Sequence, residues 1–245
     1  MEHIDAAGMH YRLLNELIRR GVAEGKREFI LENVCGQRYI GAGLEGDITI
    51  RIRGVPGNDL GAFMNGPEIL VEGNGQDGIA NTMNGGLIAV NGDAGDVLGY
   101  GMRGGLLLVR GRVGYRVGIH MKAFGEHVPA IVIGNTAGDF LGEYMAGGII
   151  VVLGLDRRPG EPPAGRYLAT GMHGGVIYLR GEVQEHGLGR EVKVFDLDQG
   201  DEARLKGLLE EFGRRFGVDP APFRAEQFVK LLPVSHRPYG RLYAT

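Results

Sequence analysis

The sequence contains one cysteine, Cys35, one serine, Ser235, and no tryptophan. A single cysteine excludes a disulfide framework within the chain, a Cys-x-x-Cys redox pair and a metal cage made of cysteines alone. A single serine without the flanking glycines excludes the Gly-x-Ser-x-Gly nucleophile elbow. Cys35 lies in Asn33–Gln37, and a lone cysteine of this kind is more typical of a buried small hydrophobic residue than of a catalytic thiol. We therefore expect a reducing, cytoplasmic environment and no catalytic residue in this chain.

Neither sign of charge dominates, because 27 basic and 30 acidic residues give a net charge of −3. A chain with balanced charge lacks the broad basic surface that binds the phosphate backbone of a nucleic acid. The apolar runs reach about six residues, whereas a membrane span needs roughly 20. The start of the chain, Met1–Asp5, is too polar for a signal peptide. We expect a soluble protein with no nucleic-acid partner and no membrane partner.

Glycine is abundant and unevenly spread: 36 of the 45 glycines lie between Gly41 and Gly189. Hydrophobic residues still make up 43% of the chain, which argues against glycine-rich disorder. On either side of this block, Met9–Glu24 and Asp201–Phe216 carry leucines at helical spacing. We predict two amphipathic helices there, and a Pro-rich extended tail from Pro220. The predicted divisions are a helix and cap segment over 1–40, a repeat domain over 41–198, and a helix with tail over 199–245.

The glycine-rich block repeats the unit Met-x-Gly-Gly followed by a short β-branched run. The repeated turn residues are Met83, Gly85, Gly86, Met102, Gly104, Gly105, Met145, Gly147, Gly148, Met172, Gly174 and Gly175. A degenerate copy begins at Met64, and the first steps are 19 residues long. The longer step from Met102 to Met145 predicts a hidden copy near Glu126–Val128. The last step contains the insert Asp156–Pro163, which we expect to protrude as a docking feature.

A unit of 19 residues is too short for a strand with a crossover helix, which needs 30 or more. Short apolar runs between glycine turns need neighbours for both their backbone groups and their hydrophobic faces. Stacked units supply both, and the sequence therefore predicts a mainly β fold, a right-handed parallel β-helix (solenoid) of about seven coils. At roughly 4.8 Å per coil the column would be about 34 Å long.

Three further expectations follow from this architecture. The glycines would form corners at positive φ, and the methionines would point into the narrow core. The alternating segment Asp47–Arg53 would be the first coil. The two helices would act as N- and C-terminal caps on the ends of the column, where bare strand edges invite aggregation.

Several motifs of potential chemical interest carry weak signals. Gly-x-Gly-x-x-Gly occurs three times, at 41–46, 73–78 and 99–104, but chance explains this number and no helix follows within a βαβ unit. His120 and His127 are compatible with a zinc pair or with a wet surface loop. The acidic residues that follow glycines are better explained as turn-forming Asx residues than as calcium ligands; they are Asp77, Asp93, Asp96 and Asp139. We expect no catalytic, cofactor-binding or metal-binding residue.

The segment Gly142–Gly154, with the sequence GEYMAGGIIVVLG, resembles the glycine-rich β-helix domain at the C-terminus of the glutamate synthase large (alpha) subunit. Met83–Gly86, Asn91–Gly95 and Gly171–Gly175 support the resemblance, which covers roughly 44–189. The same repeat is shared by the C subunit of formylmethanofuran dehydrogenase. The resemblance therefore identifies a superfamily more firmly than a reaction.

In glutamate synthase the glutaminase nucleophile, the FMN site and the iron–sulfur cluster lie outside the β-helix, which packs the catalytic domains together. The resemblance thus implies a non-catalytic structural subunit of a glutamate-synthase-like complex, which forms glutamate from glutamine and 2-oxoglutarate. Its partners would be FMN-barrel and glutaminase-type subunits that carry the FMN and the iron–sulfur cluster. The alternatives are the equivalent subunit of formylmethanofuran dehydrogenase and a free-standing oligomeric scaffold, so a homo-oligomer stays open.

Overall fold

The computed structural model describes residues 1–183, 185–223 and 227–235 of the chain. The end of the predicted tail, 236–245, lies outside the described residues. The helices are α1 (Tyr11–Ala23) and α2 (Gln199–Phe216), with a 3-10 turn at Glu185–Gly187. The strands, in chain order, are β1 (Glu2–Asp5), β2 (Glu28–Cys35), β3 (Thr49–Val55), β4 (Asn65–Val71), β5 (Gly85–Val90), β6 (Leu106–Val109), β7 (Ala130–Ile133), β8 (Ala146–Val152), β9 (Gly174–Arg180), β10 (Val192–Phe195) and β11 (Phe228–Pro233).

All eleven strands belong to one sheet in the order β1 to β9, then β11 and β10. The pairs from β1 to β9 are parallel, and β11 pairs antiparallel with β9 and with β10. From β2 to β8, each strand is followed by irregular turns that lead to the next strand and hydrogen-bond to neighbouring coils. The predicted mainly β solenoid is therefore confirmed.

The core of the column is a set of rows, each with one side chain per coil. One row lies on successive strands and contains Phe29, Ile50, Ile69, Ile88, Leu107, Ile131, Ile150 and Ile177. A second row comes from the turns before the strands and contains Leu44, Met64, Met83, Met102, Met121, Met145 and Met172. The six methionines are fully buried. The buried rows fill the interior, and burial of each large side chain contributes about 1.5–3 kcal/mol.

The methionine row corrects both the coil count and the hidden copy. Its seven positions enclose six turns, so the column has about six turns rather than about seven. The hidden copy is centred on Met121, 19 residues after Met102, and not on Glu126–Val128. The prediction was wrong because the next turn contains an extra hairpin, in which Phe124 and His127 pair antiparallel, and this hairpin lengthens the step to Met145.

Helix α1 closes the β1 end of the column. It lies within the predicted span Met9–Glu24, and its residues Leu14 and Ile18 pack into the core cluster. Gly21 permits this approach, because a Cβ atom there would lie 2.8 Å from the Phe29 ring. The column also begins earlier than predicted, since β1 and β2 precede the alternating segment in β3.

Helix α2 exists as predicted, but it lies along the outer face of the sheet rather than over the end of the column. Leu205, Leu209 and Phe212 pack on the outward-facing side chains of β5 to β9. The end of the column beyond β9 is instead extended by the antiparallel strands β11 and β10. No helix among the described residues is long and apolar enough to cross a membrane.

Candidate functional site

The two glycines of each Met-x-Gly-Gly unit are required for different structural reasons. The second glycine of each pair has positive φ, as at Gly148 (98°) and Gly175 (86°). The first does not: a Cβ atom at Gly147 would lie 2.5 Å from the Ala123 nitrogen, and one at Gly174 would lie 2.4 Å from the Ala146 carbonyl oxygen. The expected positive φ therefore applies only to the second glycine, whereas the first is required because the preceding coil is too close. The same division holds for Gly104 with Gly105, whereas a Cβ atom at Gly85 would be too close only to the Asn65 side-chain oxygen, at 2.7 Å.

The acidic residues after glycine form ladders that join neighbouring coils. The Asp77 carboxylate accepts the Asp96 backbone N–H (2.9 Å), and the Asp96 carboxylate accepts the Tyr115 N–H (2.8 Å). Asp93 and Asp139 accept the N–H groups of Arg112 and Arg166 in the same way. The Oδ1 atom of each carboxylate is thus occupied by a backbone N–H of the next coil. The three Gly-x-Gly-x-x-Gly matches also lie in turns of the solenoid, and none precedes a helix.

The two candidate zinc ligands lie in different surroundings. His120 stacks on Tyr144, with ring centroids 5.4 Å apart, whereas His127 lies in the hairpin with Phe124. Within the part of the chain that the structure describes, no group of three or more His, Cys, Asp and Glu side chains is placed to hold a metal ion. Cys35 is exposed at the end of β2, so the expectation of a buried small hydrophobic residue was wrong.

An edge of exposed aromatic rings runs along the turns that precede the methionines. We call it the aromatic edge; it comprises Tyr39, Phe63, Tyr100, Tyr115, His120, Phe140, Tyr144 and Tyr167. Tyr100 meets His120 edge to face at 5.8 Å, and Phe140 stacks on Tyr167 at 4.8 Å. Tyr115 and Tyr167 are more than half exposed. The rings in contact form two groups, Tyr100–His120–Tyr144 and Phe140–Tyr167, and clusters of partly exposed rings are typical of a protein interface.

The backbone explains why these rings point outward. Tyr39, His120, Phe140, Tyr144 and Tyr167 have positive φ values between 52° and 63°. Non-glycine residues rarely adopt this conformation, and its cost is of order 1–3 kcal/mol each. Sequence reasoning missed the edge, although the signal was present: a Tyr, Phe or His lies within the five residues before six of the seven positions of the methionine row.

A groove of about 550 Å³ opens on the side of the column formed by the second residue of each Met-x-Gly-Gly unit. Asn65, Asn84, Arg103 and Lys122 line it from four successive coils, and the hairpin of Phe124 and His127 borders it. Arg103 and Lys122 form no ion pair with any described residue. The groove is therefore a cationic surface with amide groups, separate from the aromatic edge.

An ionic cluster, buried except for the Asp198 side chain, holds the start of α2 against the sheet. Lys230 of β11 binds the carboxylates of Asp198 (2.8 Å) and Asp201, and the Tyr178 hydroxyl donates to Asp201 at 2.6 Å. Burial raises the pKa of Asp201, but the hydrogen bonds from Lys230 and Tyr178 outweigh it and lower that pKa to about 2. Burial and the bond to Asp201 raise the pKa of Tyr178 to about 12. The cluster has a structural role, because every carboxylate oxygen in it has a hydrogen-bond partner within the protein.

The insert Asp156–Pro163 folds back towards the column. Asp156 lies 3.8 Å from Arg110, and Glu161 lies 3.6 Å from Arg112. Arg157 and Arg158 of the insert line a separate pocket with Arg180. Ion pairs thus attach both ends of the insert to the turn that follows β6, two strands before β8.

Comparison with known proteins finds a matching family, a relative of similar sequence and a solved structure of similar fold. The family model described as "GXGXG motif" matches residues 26–234. The "Uncharacterized protein MJ1350" of Methanocaldococcus jannaschii is 46% identical over 249 residues, which cover 98% of this chain and 95% of that protein. A chain in the crystal structure of the formyltransferase/hydrolase complex of Methylorubrum extorquens, in complex with methylofuran, superposes with a TM-score of 0.58. It is 22% identical, over 80% of this chain and 69% of that one, and shows a similar fold.

Proposed function

The chain is a member of the GXGXG motif family, and from this premise we propose that it is a non-catalytic structural subunit or domain of a multi-subunit enzyme complex. The aromatic edge is the observation that carries the proposal. Its rings are held on a column whose interior is filled by side chains, so the surface is presented rigidly. Exposed aromatic residues of this kind are enriched where proteins associate.

The first candidate is a glutamate-synthase-like complex that forms glutamate from glutamine and 2-oxoglutarate. The resemblance of Gly142–Gly154 to the glutamate synthase β-helix supports this candidate. In such a complex the FMN, the iron–sulfur cluster and the glutaminase nucleophile belong to the partner subunits. This chain would hold those subunits in register through the aromatic edge.

The second candidate is the equivalent C subunit of a formylmethanofuran dehydrogenase type of complex. It is favoured by the structural neighbour, which belongs to a formyltransferase/hydrolase complex of several subunits. A third candidate from another class is a free-standing oligomeric scaffold, in which copies of this chain associate through the same edge. The three candidates share the docking role and differ in the partner.

Affinity isolation of the tagged full chain from its source cells, followed by mass spectrometry, separates them. FMN-barrel and glutaminase-type subunits in stoichiometric amounts support the first candidate, and subunits of a formyl-transferring or molybdenum or tungsten enzyme support the second. A homo-oligomer without other chains supports the third. The purified chain is expected to show no flavin absorbance and no glutaminase or glutamate synthase turnover; measurable turnover by this chain alone contradicts the structural role.

A variant isolates the contribution of the aromatic edge. Tyr167→Ser removes a ring that is 52% exposed, and it is expected to reduce recovery of the partner chains at unchanged melting temperature. The matched control is Phe195→Ser on β10, where a 41% exposed ring lies outside the aromatic edge. Equal loss of partners from both variants, or from neither, counts against docking at the edge.

A further inference from the structure

A pocket of about 540 Å³ under the insert Asp156–Pro163 brings together arginines from distant parts of the sequence. Arg157 and Arg158 come from the insert, and Arg180 comes from the end of β9. The insert enlarges the turn between Met145 and Met172, so the pocket is a departure from the regular repeat. It is distinct from both the aromatic edge and the groove of Arg103 and Lys122.

The Arg157 guanidinium lies directly over the backbone that follows Arg180. A Cβ atom at Gly181 would lie 2.8 Å from the Arg157 Nη2 atom and 2.9 Å from Nη1. Gly181 also has a φ of 110°, which disfavours any other residue. The glycine thus creates the space in which the guanidinium lies beside β9.

Arg180 is held from its other side. Its guanidinium lies over the Phe223 ring, 5.0 Å from the centroid, and its Nη2 atom is 3.4 Å from the Gly154 carbonyl oxygen. Burial and then the positive charge of Arg157 lower the pKa of Arg180. The Arg157 guanidinium also lies beside Gly154, where an added Cβ atom would be 3.6 Å from the Arg157 Cζ atom. Both half-buried cations thus lie at the Gly154 backbone, an arrangement that repulsion disfavours unless an anion is bound there.

The described residues do not supply that anion. Neither Arg157 nor Arg180 forms an ion pair with a residue that the structure describes. Glu161 and Glu182 also line the pocket. Glu161 is already engaged, since its Oε2 atom accepts the Arg158 N–H at 2.9 Å and its Oε1 atom lies 3.6 Å from Arg112. Glu182 is exposed and forms no ion pair with described residues.

We propose that Arg157 and Arg180 form a binding site for a phosphate group, either as inorganic phosphate or as the phosphate monoester of a small metabolite. A guanidinium binds a phosphate in a bidentate manner, and two guanidinium groups match the charge of about −2 that such a group carries at neutral pH. The size of the pocket leaves room for a small organic group beyond the phosphate. The site stands independently of the proposed function.

Isothermal titration calorimetry of the full chain at fixed ionic strength tests the site, with inorganic phosphate, glycerol 3-phosphate and acetate as probes. We expect saturable binding of a phosphate compound and none of acetate. Tighter binding of glycerol 3-phosphate identifies a phosphate ester as the ligand, and tighter binding of inorganic phosphate identifies the free ion. Absence of saturation by both phosphate compounds up to ~10 mM, or equal binding of acetate, overturns the proposal.

Charge-neutralising variants localise the binding. Arg157→Gln and Arg180→Gln are each expected to weaken phosphate binding about tenfold or more. Arg157→Lys, which keeps the charge but loses the bidentate geometry, is expected to weaken it by a smaller factor. The control Arg51→Gln changes an exposed arginine on β3, six strands or roughly 29 Å from β9, and should leave binding unchanged. If Arg180→Gln does not fold, Arg157→Gln decides; unchanged affinity in a folded Arg157→Gln overturns the proposal.

Discussion

The Arg215 guanidinium, near the end of α2, is bound by both carboxylate oxygens of Glu68 on β4, at 2.6 and 2.9 Å. The two residues are 147 positions apart in the sequence. At the other end of α2, Asp201 accepts the hydrogen bond from Tyr178 of β9. Helix α2 is therefore fastened to both β4 and β9, and it runs along the axis of the column. Its 18 residues span about 27 Å, close to the roughly 24 Å that separate these strands.

Arg215→Gln is expected to lower the free energy of unfolding by about 1.5–3 kcal/mol, because it leaves the half-buried Glu68 carboxylate without its charged partner and leaves Glu211 paired with Arg214 alone. The matched control is Arg214→Gln on the same helix. Arg214 is 66% exposed and, among the described residues, pairs only with Glu211, so its loss should cost less than about 1 kcal/mol. Urea denaturation of both variants measures the difference, and equal midpoints would show that Glu68 does not anchor the helix.

The cluster at the start of α2 makes stability depend on pH at both extremes. Because folding lowers the pKa of Asp201 from 3.8 to about 2, its stabilisation is complete above about pH 4 and is lost as the pH falls towards 2. Folding raises the pKa of Tyr178 from 10.0 to about 12, and hydrogen bonds to Asp198 and Asp201 raise that of Lys230. Their stabilisation is complete below about pH 10 and is lost as the pH rises towards 12.

Asp201→Asn tests the predicted loss of stability at low pH. The difference in unfolding free energy between the native chain and the variant should shrink by up to about 2 kcal/mol as the pH falls from 4 to 2. Urea denaturation at each pH measures it, with Asp219→Asn, an exposed-loop change, as the control. A difference that stays constant over this range would mean that the Asp201 pKa is not lowered by folding.

Gly174→Val tests the close approach of neighbouring coils. Its Cβ atom would lie 2.4 Å from the Ala146 carbonyl oxygen, which belongs to the backbone of the preceding strand, β8. The expected cost is about 3 kcal/mol or more, seen as insoluble protein or a large fall in melting temperature. Gly187→Ala is the control, because nothing lies within 4 Å of its added Cβ atom. A soluble Gly174→Val chain with the native melting temperature would contradict the register of the coils.

Gly207→Ala is expected to act in the opposite direction. Gly207 lies inside α2, is exposed and has open space at its Cβ position. Alanine should raise the free energy of unfolding by about 0.5–1 kcal/mol, because glycine lowers helix propensity by this amount. Thermal denaturation followed by circular dichroism measures the gain. A loss of stability would mean that position 207 is packed against another segment.

The sequence was sufficient to predict the solenoid and both helices, because these depend on local periodicity. The missed copy at Met121 shows the limit of this approach. Its unit continues as Lys122-Ala123-Phe124 without the glycine pair, and the hairpin beyond it changes the spacing to Met145. A search for Met-Gly-Gly therefore cannot detect it, although a strict 19-residue step from Met102 leads directly to it.

The position of α2 was not predictable from its own amphipathic pattern. That pattern shows that one face of the helix is buried, but it does not identify the surface that the face packs on. The sequences of the strands indicate that surface. β3 alternates apolar and polar residues, whereas β6 and β7 read LLLV and AIVI without a polar position. Continuous apolar strands are buried on both faces. The outer residues Leu108 and Val132 are indeed covered by α2, while Arg51 at the equivalent position of β3 is exposed.

The lengthwise attachment of α2 has a consequence for how the molecule comes apart. In a stack whose coils contact only their nearest neighbours, the terminal coils can peel away one at a time. Here helix α2 bridges the coils from β4 to β9. None of these coils can detach unless α2 is distorted or one of its ends is released. We expect these coils to open together as one cooperative block, with slow hydrogen exchange of similar rate throughout it, and fraying confined to β1 and β10.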